Sequence, residues 1–432
     1  MEKEEKTQQY LPPRGLRYPP SSWGADYAKL PRSFEKPPIL RLAEGQLDFP
    51  FPEYEDFYGL HAHELAEAGA TYEDIDLSPA EMHIRNRFHI TSEPFVDFSG
   101  GGSYEEIANI LLMLPQPPEG SQIFLVGPCF PGIVKFAERY QNLDKDGVPK
   151  RIDMRVGAIM PPLNYDLIQS LEYVMDLGKQ GASHARRRFE GATLYYINNP
   201  GNPKGDSAPL KEIDKFAKFC AEKRAFLVVD EAYGDVLPDE QSAIRLTDSL
   251  PNILVLRSAS KVLGMPGERI GYMVGSPELE GSYRSYEKEH DLPNPKRILA
   301  NYILNPDIIR RQLDGVDRTG KKIRPGVREH VLELKRATVD SVRAKGFTVL
   351  PTDERTPIFA IEEKELDELG AQSFYKVCRK YGLDLFGGNG YLKTHSGMND
   401  NIIRVRIPQS LDQVETFSAI IESARKEALE NK

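Results

Sequence analysis

Between about residues 95 and 275, short apolar runs alternate with amphipathic stretches, and this pattern limits the chain to few architectures. Apolar runs at 95–98, 122–126, 152–156, 192–197, 225–229, 253–256 and 270–274 each have the length of one strand. Helices are predicted from the glycine turn Ser99-Gly-Gly-Gly-Ser-Tyr-Glu-Glu to about 114, after the loop 127–132 through 140, and over 210–224. Such alternation gives an α/β fold, a largely parallel sheet with helices on both faces. In sheets of this kind ligands lie beyond the carboxyl ends of the strands. The polar clusters of this chain fall at those ends.

The densest cluster is Ser258-Ala-Ser-Lys-Val-Leu-Gly-Met-Pro-Gly-Glu-Arg-Ile-Gly271. It sets one amine, Lys261, between two hydroxyls and three glycines, with Arg269 eight residues on. An amine enclosed by protein and close to other cations can lose its proton and attack a carbonyl. Ser258 and Arg269 offer donors for a dianionic phosphate, and Gly264 and Gly267 let backbone come close. The stretch suits an aldehyde that carries a phosphate; its other reading is a solvated turn between strands.

The flanks differ in texture. Residues 1–40 are rich in Pro, Arg and aromatics and cannot hold a long helix. They read either as an extended arm packed on another surface, such as a second subunit, or as a disordered tail. A short strand at 39–42, a loop at 44–52 and a helix at 79–88, started by the pair Ser78-Pro79, follow. His61 and His63 stand on alternate positions without further ligands, a weak metal signal. Beyond about 301, helices at 327–345, 373–381 and 411–429 alternate with strands at 347–350, 358–361, 384–386 and 402–407, which makes a smaller α+β unit. The expected organisation is an arm (1–40), an N-terminal part of the small domain (41–91), a large domain (92–305) and a C-terminal small domain (306–432).

Composition removes several function classes. The net charge of −9 argues against general affinity for nucleic acid or anionic membrane. No apolar run approaches the length of a membrane span. Cys129, Cys220 and Cys378 lack CxxC spacing, so neither a disulfide framework nor a zinc site is expected, and a reducing cytoplasm fits. The charged first residues have no apolar core and do not read as a signal peptide. The basic run His184-Ala-Arg-Arg-Arg188 reads as a solvated face.

An aldehyde-phosphate cofactor with an aromatic nitrogen makes defined demands. Backbone donors at a helix N-terminus suit its phosphate, and Gly101-Gly-Ser-Tyr104 supplies them. A carboxylate should pair with the ring nitrogen, and Asp230 ends a very apolar strand; its other reading is a helix N-cap. Buried without a partner, that carboxylate would cost several kcal/mol, so a cationic partner is expected. Asn202 and Tyr233, a few residues past strand ends, offer donors to the ring oxygen. Phe130 offers a face to the ring, or else packs in the core. A substrate carboxylate is best held by a bidentate arginine, and Arg404 and Arg406 alternate on one strand.

Along the chain the order is glycine turn, Phe130 loop, Asn-Pro-Gly-Asn-Pro, Asp-Glu-Ala-Tyr, Ser-x-Ser-Lys with Arg eight residues on, and a C-terminal Arg. It resembles the fold-type I pyridoxal-phosphate enzymes, in the aspartate/histidinol-phosphate branch of the class I and II aminotransferases. Asn199-Pro-Gly-Asn-Pro-Lys-Gly205 looks like the family's Asn-Pro-x-Asn-Pro-Thr-Gly, with Lys204 in place of Thr. Glu44-Gly-Gln-Leu-Asp-Phe-Pro is similar to the family's N-terminal loop, which touches the substrate carboxylate and so implicates Gly45. The resemblance implies an aspartate aminotransferase-like fold and pyridoxal 5'-phosphate bound as a Schiff base on Lys261. It implies Asp230 at the pyridine nitrogen, Asn202 and Tyr233 at the phenolic oxygen, and Phe130 on the ring. Gly102, Ser103, Tyr104, Ser258 and Arg269 would bind phosphate, and Arg404 the α-carboxylate. It further implies a homodimer in which a partner lends a tyrosine, here Tyr72. The long N-terminal segment and the charged stretch 142–190 depart from the family where the substrate pocket is bordered.

The reaction implied is transfer of an amino group between an amino acid and a 2-oxo acid. The same α-carbanion could instead undergo β- or γ-elimination or replacement, cyclisation or oxidation, because fold alone does not fix the reaction. A cofactor-dependent sensor fused to a DNA-binding domain would need an N-terminal helix-turn-helix and a basic surface, and the Pro-rich start offers neither.

Overall fold

One seven-stranded sheet realises the alternation in the computed structural model, which describes residues 40–42, 45, 47, 52–71, 73–113, 122–126, 129–130, 132–133, 142–143, 149–150, 153–157, 193–284, 292–362, 370–387 and 402–430. The N-terminal elements are β1 (Leu40–Arg41), α1 (Pro52–Ala68) and α2 (Ser78–Phe88). There follow β2 (Phe95–Ser99), α3 (Ser103–Met113), β3 (Gln122–Val126), β4 (Asn142–Leu143), β5 (Pro149–Lys150) and β6 (Asp153–Gly157). Next come β7 (Leu194–Asn198), α4 (Leu210–Glu222), β8 (Phe226–Asp230), β9 (Ile253–Ser258) and β10 (Gly271–Gly275). The chain continues through α5 (Glu280–Arg284), α6 (Asn294–Ile303), α7 (Pro306–Asp314) and α8 (Val327–Ala344). It ends with β11 (Thr348–Val349), β12 (Ile358–Glu362), α9 (Gly370–Lys380), β13 (Leu383–Asp384), β14 (Phe386–Gly387), β15 (Ile402–Arg406) and α10 (Leu411–Glu430).

The strand order of the large sheet is β2-β10-β9-β8-β7-β3-β6. β6, β3, β7, β8 and β9 pair in parallel, whereas β10 is antiparallel to both β9 and β2. Gly271, which starts β10, pairs with Ser99 and Ser258, which end β2 and β9. This register brings the carboxyl ends of the other strands and the start of β10 to one edge, where the polar clusters lie.

Alternate residues of each central strand serve opposite faces. Phe124, Tyr195, Leu227, Val229 and Val255 pack with Ile213, Phe216 and Ala217 of α4. Leu125, Tyr196, Val228, Leu256 and Met273 pack with Ile107 and Leu111 of α3. Each such burial contributes about 1.5–3 kcal/mol. Both faces are therefore covered, which is why the strands read as continuous apolar runs rather than alternating ones.

The C-terminal sheet is antiparallel, in the order β11-β12-β15-β14. Val331, Leu334 and Val342 of α8 and Phe417 and Ile421 of α10 are buried in its core. β1 pairs in parallel with β13, which ties the N-terminal stretch to this unit. The strand expected over 384–386 is divided. Leu383–Asp384 bonds to β1, and Phe386–Gly387 changes partner to β15. Helix α1 was not legible in the sequence. Its buried side chains include Glu53, Phe57 and Ala68, and Gly59 and exposed aromatics interrupt the apolar stripe. Ser78 is the first residue of α2 rather than its cap: Leu77 is the N-cap, and the Ser78 N–H donates to Asp76 Oδ1 at 2.9 Å. No described helix is long and apolar enough to cross a membrane.

Candidate active site

Beyond β2, the glycine turn brings Gly102 into the left-handed region (φ 73°), and α3 starts at Ser103. The first amides of a helix lack intrahelical acceptors and favour an anion. Arg269, itself at φ 55°, lays its guanidinium under this turn: Nη2 donates to the Gly101 carbonyl at 2.5 Å, and Nη1 donates to Ser260 Oγ at 3.3 Å. A Cβ on Gly102 would come within 3.1 Å of Arg269 Nη2, and one on Gly271 within 2.2 Å of the Ser103 nitrogen. The Ser260 N–H donates to Ser258 Oγ at 3.2 Å. The structure thus brings Gly102, Ser103, Ser258 and Arg269 together and adds Ser260. Tyr104 meets Phe130 edge to face, with centroids 6.0 Å apart. The absence of a Cβ on Gly132 permits that contact, since one would lie 2.2 Å from the Phe130 ring.

Lys261 follows β9. Its carbonyl accepts the Leu47 N–H at 3.1 Å, and its Nζ lies 5.9 Å from the Tyr233 ring centre. Gly45 closes over both: a Cβ there would stand 1.9 Å from Tyr233 Oη and 3.4 Å from Lys261 Nζ. The Tyr233 hydroxyl is buried and has no hydrogen-bond partner among the described residues. Burial raises its pKa, while the charges of Arg404 and Arg406 act the other way.

Asp230 ends β8 and is buried. Its Oδ2 accepts bonds from the Tyr196 hydroxyl and, at 2.9 Å, from Asn198 Nδ2; its Oδ1 accepts the Ala232 N–H at 3.0 Å. Among the described residues these neutral donors hold it, with Lys261 acting through its charge. Burial pushes the Asp230 carboxyl up, and the donors oppose that shift. The N-cap alternative does not hold: the N-cap position of the short helix beyond Asp230 falls on Tyr233. Asn198 Oδ1 accepts the Phe130 N–H at 2.7 Å, so one amide joins the Phe130 loop to Asp230. Behind the site runs a row of charges, all buried but the last, Asp239, which is half-buried. Glu231 meets Arg257 at 2.8 Å, Arg257 meets Asp235 at 3.0 Å, Asp235 meets Arg87 at 2.8 Å, and Arg87 meets Asp239 at 2.7 Å.

Arg404 Nη1 donates to Asn202 Oδ1 at 3.2 Å, and the Arg404 guanidinium lies 4.6 Å from the Phe386 ring centre. Arg406 instead donates from Nη2 to the Arg41 carbonyl at 2.6 Å, which ties β15 to β1. The loop carrying Asn202 is braced on the C-terminal unit. The Gly205 carbonyl accepts from the Asp353 N–H at 2.8 Å and from Thr356 Oγ1 at 2.7 Å. Buried Lys335 donates to Thr352 Oγ1 at 2.9 Å and to the Ile358 carbonyl at 2.5 Å. Lys204, where the family motif has Thr, is buried and paired with Asp206.

Among the expected site residues, Tyr72 lies outside the described residues, as do the stretches 144–148 and 158–190. His61 pairs with Glu64 at 2.8 Å. Tyr196, Asn198 and Ser260 were not singled out from the sequence. The signal for the first two was their placement: they share a strand face with Asp230.

The fold is that of the aspartate aminotransferases. A kynurenine aminotransferase from Pyrococcus horikoshii superposes with a TM-score of 0.69 at 16% identity over 94% of each chain. A histidinol-phosphate aminotransferase from Sinorhizobium meliloti, solved with pyridoxal-5'-phosphate, gives 0.67 at 16% identity over 98% of this chain and 99% of that one. At such identity the likeness speaks to fold alone. The profile of the aminotransferase class I and II family matches residues 181–405, and the chain belongs to that family. A histidinol-phosphate aminotransferase from Thermococcus gammatolerans is 29% identical over 264 residues, 58% of this chain. The match spans 65% of that relative's length, and matches to histidinol-phosphate aminotransferases of Blochmanniella pennsylvanica and Oleidesulfovibrio alaskensis span 38% and 49% of theirs.

Proposed function

We propose that the chain is a pyridoxal 5'-phosphate-dependent aminotransferase that moves an amino group between an amino acid and a 2-oxo acid. The observation that carries this reading is the buried Tyr233 hydroxyl, which lacks a described partner and lies beside Lys261. A phenolic oxygen of the cofactor fits that donor, a pyridine nitrogen fits Asp230, and a phosphate fits the cup of Gly102, Ser103, Tyr104, Ser258 and Arg269. Phe130 would cover the ring, and Asn202 would support the phenolic oxygen. Membership of the family and the named activity of the curated relatives point the same way.

When bound, the cofactor supplies an electron sink for charge at the substrate α-carbon. The remaining work belongs to the chain. Arg404 would orient the α-carboxylate, and Gly45 would leave room for it beside Tyr233. Lys261 Nζ would take the α-proton, hold it and return it as general acid. The close backbone at Gly45 would limit water. The reading includes a homodimer to which Tyr72 is lent across the interface, a cytoplasmic setting, and the four-part domain division given above.

The test is direct. The purified protein should carry the visible absorbance of lysine-bound cofactor, Lys261→Ala should abolish it, and a scan of amino acids should yield 2-oxo acids by mass. Absorbance that survives Lys261→Ala overturns the reading. An amino acid consumed with no 2-oxo acid formed would favour elimination, replacement, cyclisation or oxidation instead.

A further inference from the structure

Asp230 is held in an asymmetric way. A carboxylate has about four lone-pair positions. Oδ2 accepts two bonds, from the Tyr196 hydroxyl and Asn198 Nδ2, while Oδ1 accepts one, from the Ala232 N–H. Among the described residues, the remaining acceptor position is therefore on Oδ1. The arrangement follows from strand register. Asn198 pairs directly with Asp230 and Tyr196 with Val228, and residues two apart on a strand share a face. A side chain as long as tyrosine can reach the diagonal neighbour on the next strand. Tyr196 is fully buried on the α3 side of the sheet, and its phenol is pushed well up by burial and by the Asp230 charge, so it stays a neutral donor.

We propose that Tyr196, with Asn198, is a positioning residue for the chemistry: it ties back Oδ2, presents Oδ1 to the cofactor ring nitrogen, and keeps the carboxylate anionic so that the proton stays on the ring. The proposal rests on the cofactor reading above. With no cation in contact among the described residues, this buried carboxylate needs donors to remain ionised. Losing one donor makes Asp230 more basic, and the shared proton moves from the ring nitrogen towards the carboxylate. Asn198 extends the effect, because its carbonyl oxygen also holds the Phe130 backbone at 2.7 Å.

The test uses full-length holoenzyme loaded with cofactor carrying 15N at the ring nitrogen. Wild type should give a protonated-ring shift. Tyr196→Phe should move the shift towards the unprotonated value and lower kcat by about tenfold with KM nearly unchanged, the size typical of lost outer-shell partners. A variant that loses thermal stability but keeps the wild-type shift and kcat overturns the proposal. If wild type binds no labelled cofactor, it is the function reading that fails. Should Tyr196→Phe not fold, 3-fluorotyrosine placed at position 196 alone supplies a stronger donor and should move the shift the opposite way; no movement overturns the proposal.

Discussion

Gly45 meets Tyr233 and Lys261 with no side chain at all. Because a Cβ would fall 1.9 Å from Tyr233 Oη, Gly45→Ala must move either the tyrosine or the strand-linked backbone. Displacement of about 1 Å at a reacting group can cost about 100-fold, so kcat/KM should drop by that order, with a far smaller change in melting temperature. Residues that end strands, such as Asp230 and Ser258, were legible because an apolar run followed by a polar residue marks a sheet edge. Tyr196 was not legible: in sequence it is one aromatic in an apolar run. Only pairing with β8 turns its hydroxyl towards a carboxylate. The neutral donors that hold Asp230 were hidden for the same reason, since partners on a neighbouring strand leave no mark in the linear order.

The strands and long helices were readable from period and punctuation, as with α8, stopped at Gly346 (φ 87°). Elements whose partners decide their form were not. β13 and β14 read as one strand in sequence and are two in space, and α1 carries too few buried positions to show a stripe. The brace between the Asn202 loop and the C-terminal unit belongs here too. Gly205 sits at φ 67°, and a Cβ there would lie 1.9 Å from the Ile358 carbonyl oxygen. Gly205→Ala should therefore destabilise by on the order of 3 kcal/mol in urea unfolding. Burial lowers the Lys335 pKa to about 7, with Asp353 and Asp206 opposing. An unfolded lysine titrates near 10.4, so between about pH 7 and 10 the unfolded chain binds more protons and stability rises with pH. Lys335→Met should flatten that rise; an equally steep slope in the variant would refute the assignment.

On the scale of the whole molecule, the large sheet is mixed because β10 turns back between β9 and β2, and that reversal carries Arg269 to the edge holding the other polar ends. The sequence predicted a largely parallel sheet, and the five parallel strands match it. The reversed strand reads like any other, because direction is set by connection geometry rather than composition. The charge row from Glu231 to Asp239 links the turn after β8 to α2. Arg257→Met would leave buried Glu231 without its cation, with Asp235 still held by Arg87, and should cost about 3–5 kcal/mol by urea denaturation.

That row has a practical consequence. Arg257, Glu231, Asp235 and Arg87 are all buried, so dissolved ions cannot gather around them. Ion pairs at a surface fade in brine, but these should not. The stability lost in Arg257→Met should therefore be as large in added sodium chloride as without it, and as large in guanidinium chloride, a denaturant that is also a salt, as in urea.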